Sequence, residues 1–192
     1  MFITLEGIDR SGKTTHAALL AEQLGTGTLL LREPGHTDAG ERIRELLKSP
    51  DVELTPLAEL LLFEAARAEL VARVIRPALE AGTDVVCDRY VDSTVAYQGV
   101  ARELGVEFVE RLNEMTVGDC MPELTIYLRV DPDVAAGREG ADDDRFEAEG
   151  VEFQRRVAAA YDEIAERHPE RIRVIDGMGE PEEVFARVRK VL

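Results

Sequence analysis

Long hydrophobic runs are missing from this chain of 192 residues. No apolar stretch approaches the roughly 20 residues that a membrane span needs, so no membrane role is expected. The opening FITLE is too short for a secretory signal, lacks a basic flank and runs straight into a glycine-containing loop, so none is expected there. Cysteine is scarce. Cys87 and Cys120 have neither metal-site nor redox-motif spacing, and both read as small buried apolar residues in a reducing cytoplasm. Lysine is scarcer than its charge class suggests: only Lys13, Lys48 and Lys190 occur, so nearly all positive charge is arginine, whose fixed fork of donors suits phosphate. The three histidines are scattered, and Ser11, Thr15 and Ser93 have no triad partner, which leaves nucleophilic hydrolase chemistry without support.

The net charge is −16, which repels nucleic acid and anionic membrane at long range. No nucleic-acid partner is expected. An anionic substrate must then be met by a local cluster of Arg and Lys working against the overall field. A GC-rich genome or adaptation to salt or heat explains the bulk acidity equally well, so the acidity itself assigns no function.

What is present is an ordinary apolar fraction of 45%, enough for one compact core over residues 1–192, with no internal repeat and no linker. Short apolar runs alternate with helical spacing. Strands are expected at 2–6, 28–32, 84–88, 124–130 and 172–175. Helices are expected at 13–24, 39–47, 55–81, 93–117, 131–137, 151–167 and 181–191. Pro77 predicts a kink or an early end in the long third helix. The polar segment 138–150 reads as a loop, able to act as a short lid. The alternation predicts an α/β fold, a five-stranded parallel sheet with helices on both faces. Such a sheet binds ligands at the carboxyl ends of its strands, here just after residues 6, 32, 88, 130 and 175.

The first of those ends reads GIDRSGKTT, covering Gly7, Ile8, Asp9, Arg10, Ser11, Gly12, Lys13, Thr14 and Thr15. It matches the phosphate loop G-x-x-x-x-G-K-[ST] between a strand and a helix. Glycines let the backbone N–H groups curl inward, and the helix start adds its positive end. Lys13 is expected on the β- and γ-phosphates, and Thr14 on Mg²⁺. Asp9 and Arg10 are less determined. They could be a surface ion pair, or Arg10 could meet the moving phosphoryl group and Asp9 a second substrate.

Elsewhere the spacing leaves alternatives open. Asp88 could hold Mg²⁺ or cap the following helix; Arg89 could meet an anion or pair with Asp88 or Glu33. Phe63 and Arg67 lie four apart on one helix face, either around a base or in the core. The loop GREGADDDRFEAEG carries Arg138 and Arg145 and could be a closing lid or only a solvated loop.

The phosphate loop, REPG, VVCDRYVDSTVAYQG and DRFE occur in this order along the chain. Together they resemble the thymidylate kinase family over essentially residues 1–192, the DRY-x-x-S-T-x-A-Y-Q segment being the specific part. The resemblance implies a P-loop NTPase fold and transfer of the ATP γ-phosphoryl group to dTMP with Mg²⁺, in a homodimer. A sister kinase acting on another nucleoside monophosphate or on a deoxynucleoside is the alternative. The resemblance implies that Asp9 addresses the dTMP 3′-hydroxyl and Arg10 the transferring group. It implies Phe63 stacked on thymine, Arg67 on a thymine carbonyl, Arg89 on the dTMP phosphate and Asp88 near Mg²⁺. Ser93, Thr94 and Gln98 fall at the base edge, Tyr97 near the sugar 2′ position, and Glu33 and Pro34 along the acceptor pocket. Arg145 is expected to hold the lid and Arg138 to lie near the donor nucleotide. His36 stands where the family commonly has glycine.

Overall fold

The computed structural model describes residues 1–138 and 145–192. Five strands, β1 (Phe2–Glu6), β2 (Leu29–Arg32), β3 (Val85–Asp88), β4 (Leu124–Arg129) and β5 (Ile172–Asp176), form one all-parallel sheet in the order β2-β3-β1-β4-β5. β1 lies at the centre because both its faces are covered, and all five of its residues are buried. Its side chains alternate. Ile3 and Leu5 meet Ala17 and Leu20 of α1 (Lys13–Leu24) and Val184 of α9 (Pro181–Val188). Phe2, Thr4 and Glu6 face the other layer, where Phe2 packs with Leu70, Val85 and Tyr90. Across β1 and β4, Thr4 and Thr125 share a hydrogen bond of 2.8 Å, which satisfies two hydroxyls inside the sheet.

The helices begin where the sequence supplies caps. Thr37 Oγ1 accepts from Gly40 N at the start of α2 (Asp38–Lys48), and Thr55 with Pro56 opens α3 (Pro56–Leu70). The expected single helix from 55 to 81 is instead three pieces: α3, a π-turn over Val71–Ile75, and α4 (Arg76–Glu80). Pro77 has no N–H to donate back along the helix, and the widened turn before it absorbs that missing bond. Likewise 93–117 divides into α5 (Val91–Thr94), a second π-stretch over Val95–Ala101, and α6 (Val106–Val117). The break before α6 holds Glu103 and Gly105 at positive φ. α7 (Pro132–Ala136) follows β4, and α8 (Gly150–Arg167) runs beneath the site. Of the lid expected over 138–150, residues 139–144 lie outside the described residues. Cys87 and Cys120 are buried free thiols. Among the described residues, no helix is long and apolar enough to cross a membrane.

Candidate active site

One cavity of about 460 Å³ opens at the carboxyl ends of β1, β2 and β3. It gathers residues the sequence pointed to separately: Asp9, Arg10, Lys13 and Thr14 after β1, Glu33 and Pro34 after β2, and Asp88, Arg89, Ser93, Thr94, Tyr97 and Gln98 after β3. Phe63 and Arg67 reach it from α3. Ends of β4 and β5 were also expected to contribute. They do so indirectly: Arg138, after α7, donates to the carbonyl oxygens of Arg10 (3.0 Å) and Gly177 (3.1 Å) and so straps the phosphate loop to the β5 end.

The loop itself needs its glycines. Gly7 sits at φ 144°, and a Cβ there would lie 2.7 Å from the Leu128 carbonyl oxygen. Gly12 takes the left-handed position that starts α1. Ile8 and Ser11 are buried under the loop, while Thr15 is exposed on α1 and does not line the cavity. Lys13 is folded onto its own loop, donating to the Ile8 carbonyl at 2.6 Å and Ser11 Oγ at 3.3 Å. Burial and the nearby Arg89 push its pKa down to about 8, against the pull of Asp88 and Asp9. Thr14 Oγ1 donates to Asp88 Oδ2 at 2.5 Å, which brings a hydroxyl and a carboxylate together at the cavity mouth. Arg10, at φ 58°, donates to the carbonyls of Ala136 (3.4 Å) and Arg138 (3.1 Å).

Asp9 and Arg89 pair on the cavity wall. Arg89, also at positive φ, donates through Nη2 to Asp9 Oδ1 and to Tyr97 OH (3.3 Å). Through Nη1 it donates to the Gly7 carbonyl (3.0 Å) and to Ser93 Oγ (3.2 Å). The other oxygen of Asp9 accepts from Gln154 Nε2 on α8 at 2.6 Å. Burial works against the Asp9 charge, but Arg89 and Lys13 outweigh it and hold its pKa below the usual carboxylate value. Beneath Arg89, Glu6 accepts from Tyr90 N, Ser93 Oγ and Tyr161 OH at 2.7–2.8 Å; burial and Asp92 push its carboxyl up.

The wall behind the cavity is a buried ionic cluster. Arg67 donates to Glu33 at 2.8 Å, Glu64 at 2.5 Å, Asn113 at 2.8 Å and the Tyr90 carbonyl at 3.0 Å. Two carboxyls share one guanidinium, so Arg67 only partly offsets the burial of Glu33, whose pKa rises to about 7. For Arg67, burial opposes the charge, but the two glutamates outweigh it and its pKa is raised.

Aromatic rings complete the pocket. Phe146 lies 5.8 Å from Phe63 and 6.3 Å from Tyr97, centroid to centroid. Arg145 does not line the cavity. Its Nη1 is 2.7 Å from Glu59, its Nε donates to the Leu47 carbonyl, and its guanidinium stacks on Phe146.

Sequence reasoning missed several residues of this site. Arg32, Arg44, Lys48, Tyr90 and Phe146 line the cavity, while Gln154 and Glu6 act on Asp9 and Arg89 from behind. Phe146 stood within DRFE, and its aromatic character inside a charged segment was the available signal. Gln154 had none, lying 145 residues from Asp9. His36 takes φ 61°, which accounts for the glycine common there in the family its motifs resemble.

A family model described as thymidylate kinase matches residues 5–188. The chain is 49% identical to a thymidylate kinase of Synechococcus sp. (strain JA-3-3Ab) over 195 residues, covering 100% of this chain and 95% of that one. It is 45% identical to a thymidylate kinase of Syntrophotalea carbinolica over 199 residues, covering 97% and 92%. A crystal structure of thymidylate kinase from Ehrlichia chaffeensis superposes with a TM-score of 0.82 at 36% identity, covering 100% of this chain and 97% of that one.

Proposed function

The chain belongs to the thymidylate kinase family, and on that premise we propose how its side chains divide the work. It is an ATP-dependent kinase that moves the γ-phosphoryl group of ATP to dTMP, giving dTDP and ADP. The supporting observation is that the phosphate loop, Arg89 and the Phe63–Gln98 wall open on one cavity.

The β- and γ-phosphates of ATP rest on the loop from Gly7 to Thr14, where Lys13 exchanges its bonds to Ile8 and Ser11 for phosphate oxygens. The dTMP phosphate binds Arg89. Asp9 and the Gly7 carbonyl hold that guanidinium in place, so the acceptor oxygen arrives already aligned. That oxygen is already ionised, so no strong general base is needed, and the described residues that line the cavity include no histidine. Arg10 leaves the carbonyls of Ala136 and Arg138 to meet the charge that develops in flight. Phe63 stacks on the base, Gln98 meets its edge with Ser93 and Thr94 nearby, Tyr97 crowds the 2′ position, and Glu33 and Pro34 close the acceptor wall. Arg67 braces that wall. Bonding to a thymine carbonyl would require it to give up one of its present partners. Arg145 anchors the end of the lid to Glu59, and Arg138 holds the loop near the donor.

For Mg²⁺, Thr14 Oγ1 and Asp88 Oδ2 are hard oxygen donors at one point, and the pair fits an ion that takes its remaining ligands from phosphate and water. When bound, that ion offsets the negative charge of the phosphates. Two buried free thiols suit a cytoplasmic enzyme. Exposed Leu57 and Leu61 on α3 and Phe108 and Met115 on α6 offer an apolar surface for a homodimer, testable by light scattering.

Equilibrium binding of dTMP without ATP tests the acceptor site. Wild-type protein should bind, and Arg89→Ala should weaken binding at least about thirtyfold through loss of a charged partner. Unchanged affinity in that variant would remove Arg89 from the phosphate.

A further inference from the structure

Glu59, on α3, is 1% exposed and takes no part in the phosphate machinery, yet it collects three donors. Gln98 Nε2 donates to its Oε1 at 2.7 Å. Arg102 reaches Oε1 at 3.3 Å through Nε and Oε2 at 3.4 Å through Nη2. Arg145 Nη1 lies 2.7 Å from Oε2. Amide nitrogen and guanidinium can only donate, so both carboxylate oxygens serve as acceptors. An acceptor-only carboxylate can be met only by the nitrogen side of the Gln98 amide. Its chemistry therefore fixes which way that amide is turned.

The consequence falls on the other side of the amide. With Nε2 committed to Glu59, Oε1 is left on the far side, on a residue that lines the cavity. It accepts no hydrogen bond from any described residue. We propose that Glu59 is a specificity-determining positioning residue: it pins Gln98 so that a fixed acceptor, Oε1, faces the pyrimidine edge. A fixed acceptor matches the N3–H of thymine. It opposes cytosine, whose N3 is itself an acceptor. The proposal rests on Gln98 as a base-edge residue and adds what sets its polarity. Arg102 also reaches Glu149, and Arg145 follows the lid, so the same carboxylate joins the base edge to the lid's carboxyl-terminal end.

Glu59→Gln tests this. Two facing amides can pair in either orientation, so Gln98 becomes free to turn its NH₂ toward the base. The ratio of kcat/KM for dTMP to that for dCMP should fall at least about tenfold, mainly through a lower KM for dCMP. In a Gln98→Met background the same substitution should leave the ratio unchanged, because its effect runs through the amide. A Glu59 that serves only packing would lower the melting temperature and slow both substrates alike, and an unaltered ratio in the folded variant overturns the proposal. If Glu59→Gln does not fold, the exchange Glu59→Gln with Gln98→Glu reverses the bond, placing the donor at 59 and keeping an acceptor toward the base at 98. It should keep the wild-type ratio within about twofold, and a collapsed ratio there also overturns the proposal. A wild-type enzyme with no preference for dTMP over dCMP would instead overturn the reading of the site itself.

Discussion

Replacing Glu33 by glutamine should flatten the stability of this protein between pH 5 and pH 8. Glu33 is buried in the cavity wall, shares the Arg67 guanidinium with Glu64, and leaves its Oε1 without a hydrogen-bond partner. Burial lifts its carboxyl from 4.5 to about 7. The folded protein therefore keeps a proton that the unfolded chain has released. For a carboxyl raised in this way, the stabilising contribution is fully present below about pH 4.5 and is lost as pH rises through about 7. At about 1.4 kcal/mol per pH unit, the loss totals about 3 kcal/mol. An amide has nearly the shape of the neutral acid and does not titrate, so the variant should escape this loss. Urea unfolding followed by far-UV circular dichroism at pH 5, 6, 7 and 8 measures it. The variant's unfolding free energy relative to wild type should rise by about 2–3 kcal/mol across that range. Glu6 titrates in both proteins and cancels. Parallel profiles would refute the argument and show that Glu33 is not the group holding the proton.

Arg10→Ala should lower kcat by about 10³-fold in a coupled ADP assay, as expected of an arginine that meets a transferring phosphoryl group; a loss below about tenfold would move that role toward the lid arginines. Asp9→Asn should raise KM for dTMP and lower kcat, because it removes the charge that orients Arg89 beside Lys13. Normal turnover would take Asp9 out of the acceptor site. His36→Gly should stabilise the fold by about 0.5–1 kcal/mol, the left-handed strain relieved less the added freedom of the unfolded chain; an unchanged or lower melting temperature would contradict it.

The parts of this molecule legible in its sequence are those governed by near neighbours. A buried central strand had to be a short apolar run, and FITLE is one. The glycine-lysine-threonine spacing fixed the phosphate loop because the chemistry acts through the loop's own backbone. Thr55 and Pro56 marked a helix start by local capping, whereas the Thr37 cap of α2 emerged only in the structure. Pro77 announced a disruption, but not its form, because a π-turn and a kink both answer the same missing N–H. What was not legible depended on chain crossings. Gln154 reaches Asp9 from α8, and Glu59 reaches Gln98 from α3, each across a register that no local pattern encodes. Arg145 illustrates the same limit: its place within DRFE suggested a lid, but its anchoring by Glu59 and Leu47 is a matter of packing. Arg67 was legible as a pocket residue, whereas the five partners that occupy its donors come from β2's end, α3, the DRY segment, α5 and α6.

The most direct test of the whole account is a coupled ADP-release assay with ATP, Mg²⁺ and dTMP, dUMP, dCMP, UMP and thymidine as acceptors. The account predicts turnover with a strong preference for dTMP and none with thymidine, which lacks the phosphate that Arg89 is placed to hold. Preference for another monophosphate would contradict the assignments of Phe63, Tyr97 and Gln98, and turnover with no acceptor at all would contradict the central claim.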